Sequence, residues 1–279
     1  MDHEFAYSSE DFGRVRQMIS AYAGISLHDR KENMVYNRLA RRLRAIGERS
    51  FRAYLDRVET PGSEERERFV NALTTNLTAF FREQHHFESL AGLARTRPGP
   101  VLRVWSCACS TGEEAYSAAM VLREADRAAE IVATDVDTEA LATARRGVYR
   151  AEALERIGAE RARRHFLRGT GGNAGYVLVR PELRAMTRFA PRNLLGADWP
   201  GQERFDAVFC RNVMIYFDRP TQQRLLDRIA AVLALGGLLF LGHSENCATG
   251  HPAFSACGKT AYERRDAGTA ATGRRWTIQ

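Results

Sequence analysis

Val101-Leu102-Arg103-Val104-Trp105-Ser106-Cys107-Ala108-Cys109-Ser110-Thr111-Gly112-Glu113-Glu114 decides the architecture of this chain. The first five residues have the apolar, β-branched and aromatic make-up of a buried strand. Small residues follow, and a helical pattern then runs through 115–122. The alternation repeats downstream. A strand is predicted over 131–134 with a helix near 138–145, another strand over 205–210, an amphipathic helix over 221–235 and a strand over 238–241. Strand and helix in turn imply an α/β fold built on a parallel, doubly wound sheet. One stretch breaks the pattern: Arg168-Gly169-Thr170-Gly171-Gly172-Asn173-Ala174-Gly175 is dense in glycine and leads into Tyr176-Val177-Leu178-Val179. It predicts a small β-subdomain inserted at about 160–182.

Upstream of Pro98-Gly99-Pro100 the pattern is helical throughout. Ser8 or Ser9 caps a helix with Phe12, Val15, Ile19 and Tyr22 on one side, and Gly24 stops it. A second helix spans about 29–46 and ends before Gly47. Ser50 opens a third with Phe51, Tyr54, Leu55 and Val58, and a fourth carries Phe69, Val70 and Leu73. Taking the Pro-Gly-Pro break as the boundary gives an all-α N-terminal domain at 1–95 and a sheet domain at 96–265. Residues 266–279 are small and polar and read as a disordered tail.

The 279 residues are 44% hydrophobic and 27% charged, the balance of a soluble globular chain with a real core. The longest apolar run, 229–241, is broken by Gly236 and Gly237 and is too short to span a bilayer. Met1-Asp2-His3-Glu4 lacks the basic-then-apolar layout of a signal peptide. With five cysteines, an odd number, the expectation is a cytoplasmic protein with reduced thiols. A net charge of +7 and a pI of about 9.4 admit nucleic acid, an anionic surface or an acidic protein as partner. Lysine occurs only at Lys31 and Lys259, so the arginine-heavy charge leaves that partner unnamed.

In an open parallel sheet the ligand binds beyond the carboxyl ends of the strands, where strand order reverses. Three such ends carry polar residues: the loop over 106–114, Asp135, and Arg211-Asn212. Asp135 is placed to accept hydrogen bonds from ribose hydroxyls. A ligand with phosphates requires a nest of backbone amides, whereas this loop carries Glu113 and Glu114, whose charges repel pyrophosphate. S-Adenosylmethionine (SAM) has no phosphate and carries a sulfonium and an ammonium, so the acidic loop favours it. The same residues also match two helix capping boxes, Ser110-x-x-Glu113 and Thr111-x-x-Glu114, which need no ligand.

Four longer stretches go beyond spacing. They are Asn71-Ala72-Leu73-Thr74-Thr75-Asn76-Leu77-Thr78-Ala79-Phe80-Phe81-Arg82-Glu83, Ser110-Thr111-Gly112-Glu113-Glu114, Cys210-Arg211-Asn212-Val213-Met214-Ile215-Tyr216-Phe217 and Gly242-His243-Ser244-Glu245. In this order, and within a likeness running over about 12–264, the chain resembles the CheR family of chemotaxis receptor methyltransferases. The resemblance implies a Rossmann-like SAM-methyltransferase domain behind a helical one. It implies SAM as cofactor, S-adenosylhomocysteine as product, and methyl transfer to glutamate side chains of methyl-accepting receptors. Positions matching the family's cofactor contacts are Asn76, Thr78, Arg82, Glu114, Asp135, Asn193, Leu194, Arg211 and Asn212, and those near the chemistry are Arg82 and Tyr216. A glutamate with a pKa of ~4.3 is over ~99% ionised at neutral pH. An in-line displacement by that carboxylate therefore needs no general base, consistent with the lack of an obvious Ser/His or Cys/His arrangement.

Projected at about a hundred degrees per residue, the second helix sets Val35, Leu39, Leu43 and Ile46 in one arc. Arg30, Lys31, Arg38, Arg41 and Arg42 fall in the adjoining arc. The resemblance links this helix to the acidic, glutamate-bearing receptor helices; a merely solvated face is the alternative. Family members that tether a receptor's C-terminal peptide on the β-subdomain carry a basic residue where this chain has Leu178. A monomer is expected, without membrane insertion, nucleic acid or metal. His85 and His86, near Glu88, are adjacent on a helix and point about a hundred degrees apart. Cys107 and Cys109 read as buried, inert thiols. Two other functions stay open. A nucleic-acid methyltransferase is expected to carry a base-flipping aromatic motif where Arg211-Asn212-Val213-Met214 stands. A non-catalytic module that binds the cofactor or a nucleotide and docks on receptors is the other.

Overall fold

The computed structural model of the chain describes residues 4–200 and 203–266. Five helices open it: α1 (Ser9–Ala23), α2 (Glu32–Ile46), α3 (Phe51–Glu59), α4 (Glu65–Leu73) and α5 (His85–Thr96). Ser8 caps α1 through a reciprocal box with Asp11, and Gly24 ends it in the left-handed region at φ 71°. Ser50 caps α3. Residues 29–31, expected as the first turn of α2, form a separate 3-10 turn. Val15, Ile19, Val35, Leu39, Leu43, Phe51, Tyr54 and Phe69 close one helical core.

Helix α5 does not join that core. Its Phe87, Leu90 and Leu93 pack with Leu102, Val104 and Ala119 of the sheet domain. The expected boundary at Pro98 is therefore corrected to the extended backbone after α4, at Thr74 (φ −68°, ψ 157°). Pro98-Gly99-Pro100 only turns the chain from α5 into the first strand. Burial, not local punctuation, sets the edge of a domain.

The rest runs β1 (Leu102–Ser106), α6 (Glu113–Glu124), β2 (Ala129–Asp135), α7 (Thr138–Arg146), β3 (Val148–Arg150), α8 (Ala159–His165), β4 (Phe166–Arg168) and β5 (Tyr176–Val179). Then come α9 (Pro181–Ala185), β6 (Thr187–Pro191), β7 (Phe205–Cys210), α10 (Arg219–Val232), β8 (Leu233–Leu241), β9 (Phe254–Gly258) and β10 (Ala261–Arg264). The main sheet has the order β6-β2-β1-β7-β8-β10-β9. Its first five strands are parallel, and β10 and β9 add an antiparallel edge. Alternate residues feed opposite faces: Val104 and Phe209 pack in one core, Trp105 and Val208 in the other. Strand order reverses between β1 and β7, which fixes where a ligand can sit.

The β-subdomain is the antiparallel sheet β3-β5-β4. It starts at Val148, ahead of the expected 160, because its first strand is a three-residue piece with no readable period. Helix α10 stops at Val232 rather than 235, since Leu233 already pairs with Phe205 in β8. Among the described residues no helix is long and apolar enough to cross a membrane. The predicted tail, apart from Asp266, lies outside the described residues.

Candidate functional site

At the switch point the helical domain and the sheet enclose a cleft of about 400 Å³. Asn76, Thr78, Arg82, Glu114, Asp135, Asn193, Leu194, Arg211, Asn212 and Tyr216 all line it, although they come from five separate stretches of chain. Ala23, Ser26, His28, Lys31 and Met34 of the helical domain close the other side. Two hydrogen bonds to backbone carbonyls, one from a backbone amide and one from a side chain, hold that wall in place. The Ser26 amide donates to the Tyr216 carbonyl at 2.9 Å, and Asn193 Nδ2 donates to the Tyr22 carbonyl at 2.7 Å.

The loop after β1 does not form either capping box. Gly112, at φ 98°, is the N-cap of α6, with no side-chain cap bond. Glu113 turns aside to accept from the Thr111 hydroxyl at 2.6 Å and does not line the cleft. Glu114 faces in. Its Oε1 accepts from Ser106 Oγ at 2.7 Å and its Oε2 from Arg211 Nη1 at 2.9 Å. Burial pushes its pKa up, against the pull of Arg211 and Ser106. The expected pair of acidic residues is thus one acid in the cleft and one beside it. The second acid in the cleft is Asp135, at the end of β2, which accepts from the amides of Ser110 (2.7 Å) and Asp137 (2.9 Å). Burial raises its pKa too.

The turn after β7 is held from behind. Asn212 sits in the left-handed region at φ 58°, where asparagine is tolerated better than most residues. Glu245 accepts from the amides of Gly242 (2.6 Å), Asn212 (2.8 Å) and Ile215 (3.3 Å). A Cβ on Gly242 would lie 2.3 Å from Asn212 Nδ2, so only glycine fits there. The stretch Gly242-His243-Ser244-Glu245 therefore shapes the presentation of Arg211 to Tyr216 and does not itself line the cleft.

Arg82 does not pair with its neighbour Glu83. Its Nη1 donates to the Leu77 carbonyl at 2.8 Å, and Glu83 lies 3.4 Å from Arg211 instead. Asn76 donates to Asp137 at 2.7 Å and accepts from Ser110 Oγ at 3.1 Å. Asp137 is the residue the sequence reading missed. One oxygen caps α7 through the amides of Glu139 and Ala140, and the other accepts from Thr74 and Asn76. It ties the inter-domain segment to the sheet. An Asp just before a helical run was the available signal.

The five cations of the second-helix face divide. Arg42 forms a two-bond pair with buried Glu65 (2.8 and 3.0 Å), and Arg38 donates to the carbonyls of Leu73 and Thr74. Both are spent inside the protein. Arg30, Lys31 and Arg41 are exposed, and Lys31 stands at the cleft.

The rings of His85 and His86 do not diverge as expected: their centroids lie 4.1 Å apart, and with Glu83, not Glu88, they group metal-type donor atoms within 4.8 Å. Glu83 already faces Arg211 at 3.4 Å and His243 at 3.5 Å, so a guanidinium occupies the side from which a dication would draw its charge balance. Cys107 and Cys109 are buried and free, and burial raises both thiols, which keeps them protonated.

A parallel sheet with an antiparallel edge, and a cleft with buried carboxylates at its switch point, defines a binding domain for a cationic nucleoside cofactor. The model of the CheR methyltransferase SAM-binding domain matches residues 76–262, and that of the CheR all-alpha domain matches 10–74. The chain is 51% identical to chemotaxis protein methyltransferase 2 of Pseudomonas aeruginosa, over 94% of this chain and 95% of that one. It is 49% identical to the chemotaxis protein methyltransferase of Escherichia coli, over 94% and 93% of the two lengths. A solved rRNA methyltransferase from Streptomyces viridochromogenes is 18% identical with a TM-score of 0.43, over 69% of this chain and 87% of that one, a likeness too distant to bear on function. The chain belongs to the CheR methyltransferase family and is a SAM-dependent methyltransferase of chemotaxis.

Proposed function

We propose that this enzyme esterifies glutamate side chains on the cytoplasmic helices of methyl-accepting chemotaxis receptors. The observation that carries the reading is the convergence of Arg82 and Tyr216, from separate segments, on the cleft that holds Glu114 and Asp135. Bound there, SAM supplies a methyl group on a positively charged sulfur. Asn76, Thr78, Arg82, Glu114, Asp135, Asn193, Leu194, Arg211 and Asn212 hold it, with Glu114 and Asp135 supplying the negative charge.

The acceptor carboxylate is already ionised at neutral pH, so the protein has no proton to remove. Its work is alignment and exclusion of water, which in well-oriented reactions supplies on the order of 7–11 kcal/mol. Arg82 orients a carboxylate by its guanidinium. Tyr216 lines the cleft, where its hydroxyl can donate to the acceptor or the cofactor. Arg30, Lys31 and Arg41, with the net charge of +7, draw an acidic partner to this face. The enzyme works in the cytoplasm as a monomer. A receptor peptide added to the β-subdomain is not part of this reading, since Leu178 stands in place of the basic residue.

Incubation with methyl-labelled SAM and a receptor cytoplasmic fragment, then alkali, separates the candidates. A carboxyl ester releases methanol; a methylated base does not; a binding module transfers nothing. Arg82→Ala and Tyr216→Phe should each lower turnover at least tenfold. Near-normal turnover in both would remove them from the chemistry.

A further inference from the structure

Six large apolar side chains stand most exposed among the described residues, and two of them, Leu77 and Ile215, line the cleft. Leu77 is 78% exposed and Ile215 51% exposed. Each stands beside a residue assigned to the chemistry: the Leu77 carbonyl accepts from Arg82 at 2.8 Å, and Ile215 precedes Tyr216. We propose that Leu77 and Ile215 form an apolar lip for the side chains one helical turn from the acceptor glutamate on an acidic, amphipathic substrate helix. This deepens the function proposed above and rests on it.

The backbone at both positions is pinned while the side chains stay in water. The Leu77 carbonyl is bonded to Arg82, and the Ile215 amide is held by Glu245 at 3.3 Å. Such a surface loses little freedom when a partner arrives, so its apolar area converts to affinity with a small ordering cost. Water is a poor environment for these groups, and burying a leucine or isoleucine is favourable.

The occupant is set by charge and by helix geometry. Lys31 at the cleft and exposed Arg30 and Arg41 on the same domain call for an acidic partner. On a helix, residues three and four positions from the glutamate share its face, about 5–6 Å away. A helix that lowers its glutamate between Arg82 and Tyr216 brings those neighbours to the mouth, where Leu77 and Ile215 stand. A polar group pressed there would lose water without gaining a partner, so the lip selects apolar or small neighbours.

The test uses the full chain, labelled SAM and a purified receptor cytoplasmic fragment. Leu77→Ser with Ile215→Ser should raise the KM for the fragment at least tenfold, equivalent to about 1.4 kcal/mol. Binding of S-adenosylhomocysteine by calorimetry should stay unchanged, which also shows that the variant is folded. Replacing the residues at i±3 and i±4 of a methylated glutamate with asparagine should raise the wild-type KM similarly and leave the double variant unmoved. A wild-type KM in the double variant, or equal sensitivity of both enzymes to the asparagine substitutions, overturns the lip. Should the wild type yield no alkali-labile methyl on the fragment, the glutamate reading fails first and the lip with it.

Discussion

In the wall of the cleft, Arg211 Nη1 lies 2.9 Å from Glu114 Oε2, with both residues buried. Arg211 also donates to the Arg82 carbonyl and stands 3.4 Å from Glu83. One guanidinium therefore joins the end of β7, the start of α6 and the inter-domain segment. Removing one partner of a buried pair strands the other charge, at about 3–5 kcal/mol. Arg211→Ala is expected to lower unfolding stability by that order in urea and to weaken S-adenosylhomocysteine binding. Arg211→Lys should recover only part, because a point ammonium cannot serve three acceptors in a plane. An alanine variant with the wild-type urea midpoint would show that the pair does not hold these elements together.

The Gly242→Ala prediction follows from space alone. The new Cβ would sit 2.3 Å from Asn212 Nδ2 and 2.8 Å from Glu245 Oε2, so the turn carrying Arg211 to Tyr216 has to move. Calorimetry with S-adenosylhomocysteine should show an affinity loss of tenfold or more. Gly250→Ala is the control for the same loop region: Gly250 is left-handed at φ 82°, which Gly242 is not, and nothing stands within reach of the added carbon. It should lose some stability from backbone strain and keep its affinity.

How much of this was legible beforehand depends on where the physics is local. Capping serines at Ser8 and Ser50 and the left-handed Gly24 are short-range signals, and they read directly. So do β1, β2 and β7, whose apolar runs lie inside the sheet. The edge strands did not. Thr187-Arg188-Phe189-Ala190-Pro191 is a mixed, half-buried strand whose pairing to β2 gives it no period of its own. At the site, Asp135 and Arg211-Asn212 were legible as strand ends. The alternative of a capping box at Glu113 and Glu114 could be decided only by the left-handed Gly112. Arg38 and Arg42 looked like Arg41 in sequence; α4, distant along the chain, supplies the carboxylate and carbonyls that engage them.

That division of α2 makes a paired prediction. Arg42→Glu would face Glu65 across 2.8 Å and place two carboxylates in a half-buried contact, so it should lower the melting temperature by several degrees. Arg41→Glu and Arg30→Glu lie on the exposed side and should leave stability within about 0.5 kcal/mol. They should instead raise the KM for the receptor fragment, an effect that shrinks as salt is added. A fall in stability for Arg41→Glu equal to that of Arg42→Glu would contradict the assignment.

The pH dependence of stability should carry the mark of His86. Burial, reinforced by Arg211 and His85, pulls its pKa down to about 3, and its Nε2 lies 2.9 Å from Thr260 Oγ1. In the unfolded chain the ring titrates near ~6.5. Below that pH the unfolded state takes up a proton that the folded state refuses, so stability falls as pH drops toward the folded value. One such proton gives a slope of about 1.4 kcal/mol per pH unit. Above pH ~6.5 the contribution is constant. His165 is also depressed by burial and moves the curve the same way, so the slope must be compared between variants. His86→Phe keeps an aromatic ring against Phe240, 5.1 Å away, and removes the titration. Urea midpoints between pH 6.5 and 5 should therefore fall less steeply in the variant than in the wild type, by close to one proton. Parallel curves would mean that His86 is charged in the folded protein, and that burial does not govern this end of α5.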